Sequence, residues 1–201
     1  MPKPKTLEQT VADERAELGA TLDDSTQLDN PKLQASFATM HKYAGLAKVE
    51  AYLDLVSDDL RSFAIDKLVI FGIHKAVLER CEERLKEEFG ALLIYGGTSA
   101  NNRVRRIEKF QTKPEHRVMV AQIKAAGTAI DLFAAANVDL LEPSWSPAWN
   151  AQAIMRVHRS GQERPVLARF VALVDDPVDQ RLQEILRRKT KALAEAGLAV
   201  L

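Results

Sequence analysis

The sequence has a single cysteine, few aromatic residues and no formal net charge. Cys81 is the only cysteine among 201 residues, which excludes an internal disulfide and a zinc site built from cysteines. The four histidines (His41, His74, His116 and His158) show no spacing typical of metal ligands, so we expect no metal site. No apolar run is long enough to span a membrane, and the N-terminus lacks the apolar core of a signal peptide. The composition therefore predicts a soluble, intracellular protein without membrane contact.

The absence of net charge conceals an uneven distribution along the chain. Residues 1–60 contain 6 Lys and Arg against 11 Asp and Glu, whereas residues 61–201 contain 22 against 17. The longer part is mildly basic, which is compatible with a nucleic-acid backbone but does not require one. We interpret residues 1–60 as a partly mobile acidic segment of helices and linker, with one short helix at 7–18 and two further helices between 31 and 59.

From residue 61 onward, short apolar runs alternate with helical segments. Five runs rich in β-forming residues predict strands at 67–73, 92–95, 118–121, 138–141 and 166–173. The intervening segments predict helices at 75–89, around 104–110, at 131–136 and from 147 onward. Strict alternation implies a parallel sheet with helices on both faces, so 61–175 reads as one α/β domain. Asp176 and Pro177 cap a final helix to about residue 196, and 176–201 is a helical extension.

The most position-specific pattern occupies residues 145–162. It reads Trp-x-Pro, followed by Gln-Ala-x-x-Arg-x-His-Arg-x-Gly-Gln. Ser146 and Pro147 are typical of an N-cap and a first helical residue, and Gly161 is typical of a helix end. The pattern therefore predicts one helix from Pro147 to Gly161.

On such a helix, Gln152, Arg156 and Arg159 share one face. The simpler interpretation is a solvated charged face. However, the helix follows an apolar strand, and two guanidinium groups at the carboxyl edge of a parallel sheet suit a phosphate ligand.

Polar residues and turns also follow the other strands, at the edge where open parallel sheets bind ligands. Each is weak evidence alone, because a Gly-Gly pair is usually only a turn and a single lysine is usually solvated. Together with the two arginines they predict one ligand-binding edge. The candidates that follow the first three strands are His74, Lys75, Gly97, Thr98, Arg103, Lys124, Gly127 and Asp131.

The 145–162 pattern resembles motif VI of the Swi/Snf-type DNA translocases in helicase superfamily II. Residues 124–132 are similar to motif V of the same family, and the resemblance covers about residues 42–198. Glu142 and the segment 193–198 look most like the annealing-helicase (HARP-like) branch. The fold that this resemblance implies is a RecA-like lobe, the second of two, with helical extensions at both ends.

The resemblance also implies roles for the candidate residues. Arg156 and Arg159 would be catalytic arginine fingers, and Gln152, Gly127 and Asp131 would contact the nucleotide. The DNA backbone would be contacted by His74, Lys75, Gly97, Thr98, Arg103 and Lys124. Motif V departs from the family pattern, because Ala126 and Ala129 replace glycines and Gln122-Ile123 replaces the usual Ser-Thr pair. The added Cβ atoms would hinder a close backbone approach to phosphate.

The 201 residues hold no phosphate loop of the form G-x-x-x-x-G-K-[ST] and no Asp-Glu-x-His sequence. The resemblance implies that a separate N-terminal RecA-like lobe binds ATP and Mg²⁺, so this chain alone is predicted to bind neither and to be inactive. Two hypotheses remain open. The chain is the motor lobe of a translocase, or it is an inactive helicase lobe that binds DNA or a partner protein.

Overall fold

Five strands pair in parallel to form one sheet. The strands are β1 Leu68–Gly72, β2 Leu92–Ile94, β3 Val118–Gln122, β4 Asn137–Leu140 and β5 Leu167–Phe170. Their order across the sheet is β2-β3-β1-β4-β5, with Ile70 level with Val120 on one side and Asp139 on the other. The computed structural model describes residues 31–125 and 130–195, with side chains from residue 38 onward.

Helices cover both faces of this sheet. They are α1 Pro31–Arg61, α2 Lys75–Phe89, α3 Ala100–Thr112, α4 Pro147–Ile154 and α5 Pro177–Glu195. On one face, Leu68, Ile70 and Val120 pack against α1 and α2. On the other, Val69 and Phe71 pack with residues of α3, α4 and the loop before β4. The predicted α/β parallel-sheet architecture is thus confirmed.

The two helices predicted between residues 31 and 59 form a single helix, α1. The sequence shows two apolar stripes because the two parts of α1 pack against different elements. Met40 and Ala44 contact Val178 of α5, whereas Leu53 and Val56 belong to the core beneath the sheet. The predicted helix at 7–18 and the chain after Glu195 lie outside the described residues.

The predicted helix at 131–136 is wrong, because this segment is a loop with one turn. Its backbone groups bond to other elements instead of to one another. The Leu132 N–H donates to the Arg156 carbonyl at 2.8 Å, and the Ala134 N–H donates to Gln111 Oε1 at 2.8 Å. Only the Ala135 N–H bonds within the segment, to the Leu132 carbonyl at 3.2 Å.

A buried ion pair attaches the final helix α5 to α1. Lys48 Nζ lies 3.0 Å from Asp179 Oδ2 and 3.0 Å from the Val171 carbonyl, and both charged side chains are almost fully buried. The Asp176 side chain accepts from the backbone N–H groups of Val178 and Asp179, at 2.9 and 3.1 Å, which confirms the predicted N-cap. Among the described helices, none is both long and apolar enough to cross a membrane.

A second buried network joins the sheet to α1. Asp139 of β4 is fully buried, and its carboxylate accepts from the Tyr52 hydroxyl at 2.7 Å. The same carboxylate accepts two bonds from the Arg169 guanidinium, at 2.7 and 2.8 Å. Arg169 also reaches Asp59 at 3.1 Å. Burial, together with the Asp139 charge, raises the pKa of Tyr52 well above its ordinary value, so the hydroxyl stays a donor.

Candidate functional site

Two side chains connect the loops at the carboxyl edge of the sheet. Gln122, at the end of β3, accepts from the Gly96 N–H at 3.0 Å and donates to the Ile73 carbonyl at 2.8 Å. It therefore joins the loop after β1 to the turn after β2. Gln122 stands where the family pattern has a hydroxyl, and in the structure its amide fixes the relative position of two loops.

Glu142 holds the loop after β1 from the opposite side. Its carboxylate is fully buried and accepts from the backbone N–H groups of Ile73 and His74, at 3.0 and 2.9 Å. Its second oxygen lies 2.7 Å from His74 Nδ1. Such an acid can stay buried only because several donors face it. The sequence signal for this role is an acidic residue directly after a buried strand.

The Glu142 carboxylate also lies close to α1. A Cβ at Gly45 would stand 2.4 Å from Glu142 Oε1, so glycine is needed at this point of the helix for steric reasons. Nearby, the His41 ring packs against His74 and Trp145, with ring centroids 5.6 and 5.9 Å apart. Burial lowers the pKa of His41 to about 4, so this ring is neutral at physiological pH.

Lys75 begins α2 beside the turn that follows β2. Its ammonium lies 3.1 Å from Glu79 Oε1 and 4.9 Å from the centroid of the Tyr95 ring. The hydrogen bond and charge of Glu79 raise the pKa of Lys75, which therefore stays cationic. About half of the side chain is exposed, so this charge can contact a ligand.

The Gly97–Thr98 turn uses its own hydroxyl to hold its shape. Thr98 Oγ1 accepts from the Tyr95 N–H at 3.1 Å, and the Thr98 N–H donates to the Tyr95 carbonyl at 2.9 Å. A Cβ at Gly97 would stand 2.7 Å from the Tyr95 ring, which explains the glycine. Arg103, one turn into α3, donates to the Ala125 carbonyl at 3.4 Å. The turn after β2 and the exposed Lys124 turn are therefore neighbours.

The predicted helix from Pro147 to Gly161 is wrong in its second half, because α4 ends at Ile154. Its N-terminus is as predicted, with Ser146 at the N-cap and Pro147 first, although the Ser146 side chain makes no capping bond. Beyond Ile154 the backbone turns more tightly, with the Val157 N–H bonded to the Ile154 carbonyl at 3.0 Å. The Arg156 carbonyl then accepts from Leu132 of another loop, which satisfies it without a further helical turn.

Gln152, Arg156 and Arg159 therefore do not share one helical face. Exposed Gln152 lies on α4, partly buried Arg156 lies in the turn that follows, and exposed Arg159 comes after Val157, which is fully buried. The Arg159 guanidinium forms an ion pair with the Asp131 carboxylate. Both side chains are nearly half exposed. Through Asp131, Arg159 thus contacts the loop after β3. Gly127 lies outside the described residues.

Three side chains outside the set of candidate site residues hold the loop that carries Asp131. Gln111 of α3 donates to the Asp131 carbonyl at 3.1 Å. From the other side, Gln162 donates to the Phe133 carbonyl at 3.0 Å, and Arg164 donates to the Ala134 carbonyl at 2.6 Å. In all three contacts the acceptor is a backbone carbonyl, and no sequence pattern marks such an acceptor. The one sequence signal for these contacts is that Gln162 is the last residue of the 145–162 pattern.

The edge thus presents exposed cations beside ordered turns. Lys75, Lys124 and Arg159 are exposed, and the paired carboxylates of Glu79 and Asp131 are exposed as well. Ion pairs in water are weak, so these cations can exchange a carboxylate for a phosphate oxygen. Among the described residues, no group of three or more His, Cys, Asp or Glu side chains could hold a metal ion.

This fold, a parallel sheet with helices on both faces, matches the RecA-like C-terminal lobes of Swi/Snf ATPases. The chain matches the helicase conserved C-terminal domain over residues 47–161, and it belongs to that family. Two solved structures share the fold: the C-terminal part of the Fun30 ATPase domain and the Sulfolobus solfataricus SWI2/SNF2 ATPase core domain. The first has a TM-score of 0.64 at 22% identity and covers 88% of this chain and 64% of the other. The second has a TM-score of 0.67 at 21% identity, and the match covers 98% of this chain and 43% of the other.

The curated relatives of the chain are helicases of the Swi/Snf type, which confirms the predicted resemblance. The SWI/SNF-related matrix-associated actin-dependent regulator of chromatin subfamily A-like protein 1 of Xenopus laevis is 32% identical over 96% of this chain and 20% of its own length. The DNA repair protein RAD5B of Arabidopsis thaliana is 31% identical over 75% of this chain and 12% of its own length. The human DNA annealing helicase and endonuclease ZRANB3 is 29% identical over 76% of this chain and 14% of its own length. The chain therefore spans a fifth or less of each of these relatives.

Proposed function

We propose that the chain is the second motor lobe of a Swi/Snf-type DNA translocase. In this proposal Arg159 and Arg156 stabilise phosphate charge at an ATP site that a first, N-terminal lobe completes. The first lobe holds ATP and Mg²⁺, which accords with the lack of a phosphate loop in these 201 residues. DNA-dependent work of this kind would be done inside the cell.

The observation that carries the proposal is the position of Arg159. Its guanidinium is nearly half exposed at the carboxyl edge of the sheet, and it pairs with the exposed carboxylate of Asp131. A solvated ion pair contributes about 0–1 kcal/mol, so a polyphosphate can displace Asp131 at small cost. A bidentate guanidinium then supplies two charge-assisted hydrogen bonds to phosphate oxygens. Gln152 and Asp131 would contact the rest of the nucleotide.

The DNA backbone would lie along the other part of the same edge. Lys75, Lys124 and Arg103 supply cations there, and the Gly97–Thr98 turn lies beside them at the start of α3. These groups suit phosphates, not base edges. Binding should therefore be weak, insensitive to sequence, and strongly weakened by salt.

An ATPase assay tests this function. The chain alone should hydrolyse no ATP, and a mixture with a candidate first lobe should hydrolyse ATP with stimulation by duplex DNA. Arg159→Ala should lower the turnover of the mixture by about 10³-fold, the effect expected for an arginine finger. Arg188→Ala, which removes an exposed arginine on α5, is the matched control and should leave turnover unchanged. Hydrolysis by the chain alone, or an unaffected Arg159→Ala mixture, would contradict the proposal.

The second candidate is a non-catalytic lobe that binds DNA or a partner protein. It is favoured by Gln122, whose amide fixes two loops where the family has hydroxyls. In that case the mixture gains no ATPase activity, while salt-dependent DNA binding by the chain persists.

A further inference from the structure

Gln111 lies one residue before the end of α3 and holds the loop that carries Asp131. Its Nε2 donates to the Asp131 carbonyl at 3.1 Å, and its Oε1 accepts from the Ala134 N–H at 2.8 Å. A side-chain amide can both donate and accept, and here it does both toward backbone groups of one loop. Gln111 therefore fixes the backbone on both sides of Leu132.

The same short segment contacts the arginine turn twice. The Leu132 N–H donates to the Arg156 carbonyl at 2.8 Å, and the Asp131 carboxylate pairs with the Arg159 guanidinium. The Leu132 side chain is fully buried, so this segment cannot move without disturbing the core. The orientation of Arg159 consequently depends on where the loop sits.

The opposite end of α3 lies at the proposed DNA contact. The helix begins at Ala100, directly after the Gly97–Thr98 turn, and Arg103 bonds to the Ala125 carbonyl at 3.4 Å. Eight residues separate Arg103 from Gln111, which corresponds to about 12 Å of helix. A helix of this length moves as one body, so a shift at its start reaches Gln111.

We propose that Gln111 is a positioning residue that couples DNA contact at the start of α3 to the orientation of Arg159. This inference rests on the proposed function for the roles of the two ends. Hydrogen bonds are directional, so the two bonds from Gln111 transmit a displacement of α3 to the loop, whereas apolar contacts would let the surfaces slide. Gln111 need not touch DNA or nucleotide for this role.

Amide hydrogen exchange on the chain alone is the first test. A short DNA duplex should slow exchange at Leu132 and Ala134 in the wild-type chain. In Gln111→Ala the duplex should still bind, but the Leu132 response should fall about fivefold or more, as expected when one or two hydrogen bonds are lost. The matched control is Gln183→Ala, an exposed glutamine on α5, which should respond as the wild type does. A wild-type chain without any DNA response at these amides, or an unchanged response in Gln111→Ala, overturns the inference.

The ATPase mixture gives the second test. Gln111→Ala should lower the ratio of DNA-stimulated to DNA-free turnover by about fivefold, while KM for ATP stays unchanged. Gln111→Glu keeps the acceptor for Ala134 but loses the donor to Asp131, so we expect a partial loss. An equal loss of both turnover rates together with a lower Tm would mean a structural role only and would overturn the inference. A wild-type mixture without ATPase activity would refute the proposed function instead, and hydrogen exchange would still decide the coupling.

Discussion

The Arg159 guanidinium pairs with the Asp131 carboxylate across two loops that are 28 residues apart in the chain. Both side chains are nearly half exposed, in contrast to the fully buried carboxylates of Asp139 and Glu142. The structure therefore combines two kinds of charged contact. Pairs in water at the rim can be exchanged for a ligand. The buried carboxylates instead hold structure in place: Glu142 holds the loop after β1, and Asp139 joins the sheet to α1.

The rim pair should contribute little to stability. Asp131→Asn removes its charge in a solvated setting, so the free energy of unfolding should change by less than about 1 kcal/mol. Asp139→Asn is the matched comparison, because it disturbs the bonds to Arg169 and Tyr52 in a buried site and should cost about 3–5 kcal/mol. Urea denaturation of the two variants measures both values. Equal losses of unfolding free energy in the two variants would contradict the distinction between solvated and buried pairs.

The Lys48–Asp179 pair should behave as a unit. Lys48→Met leaves the Asp179 carboxylate buried without its cation and should cost about 3–5 kcal/mol of unfolding free energy. The double variant Lys48→Met/Asp179→Leu removes both charges and should recover a large part of that loss, because no unpaired charge remains buried. A double-mutant cycle by denaturant unfolding measures the coupling. Additive losses would show that the two side chains act independently.

Gly45→Ala should destabilise the protein although alanine is the better helix former. A Cβ at this position would stand 2.4 Å from Glu142 Oε1, and the Glu142 side chain is held by three hydrogen bonds. The clash should outweigh the gain of about 1 kcal/mol in helix propensity. In a Glu142→Ala background the same substitution should be neutral or stabilising. Thermal unfolding of the four proteins tests this, and a stabilising Gly45→Ala in the wild-type background would contradict it.

Burial of His41 predicts a loss of stability in mild acid. The pKa of His41 is lowered to about 4, below the ordinary value of 6.5, because burial disfavours its charged form despite the nearby Glu142 carboxylate. Below pH 6.5 the unfolded chain therefore binds a proton that the folded protein does not. The protein should therefore lose up to about 3 kcal/mol of unfolding free energy as the pH falls from 6.5 to 4. Above pH 6.5 the neutral His41 causes no such loss.

The measurement for His41 is the free energy of unfolding between pH 7 and pH 4. The variant His41→Leu should show a shallower decline than the wild type over this range. His158→Gln, which changes an exposed histidine, is the matched control and should follow the wild type. Parallel pH profiles for the wild type and His41→Leu would refute the prediction.

The alternation of apolar runs predicted all five strands and their parallel arrangement. The helices α2 and α5 were also predicted closely, because Lys75–Phe89 has a clear amphipathic pattern and Asp176-Pro177 is a strong N-terminal signal. The predictions failed at the 131–136 loop and at the second half of the motif helix. In both places the residues favour a helix locally, but the Leu132 N–H of one segment bonds to the Arg156 carbonyl of the other instead.

The site residues also fall into two groups, those that the sequence predicted and those that only the structure shows. Sequence alone marked Arg156, Arg159 and the polar turns, because charged groups and glycines stand out in a local pattern. It did not mark Gln111, nor the structural roles of Gln122 and Glu142. Each of these acts on backbone groups of residues that are distant in the chain.

The order of strands and helices was thus determined by the sequence itself, since the period of apolar residues is a property of neighbouring positions. Only the tertiary structure decided that α4 ends at Ile154 and that Arg159 meets Asp131. The physical reason is that each backbone carbonyl and N–H needs a partner but accepts either a local or a distant one. For the Arg156 carbonyl, the distant Leu132 N–H takes the place of the next helical turn.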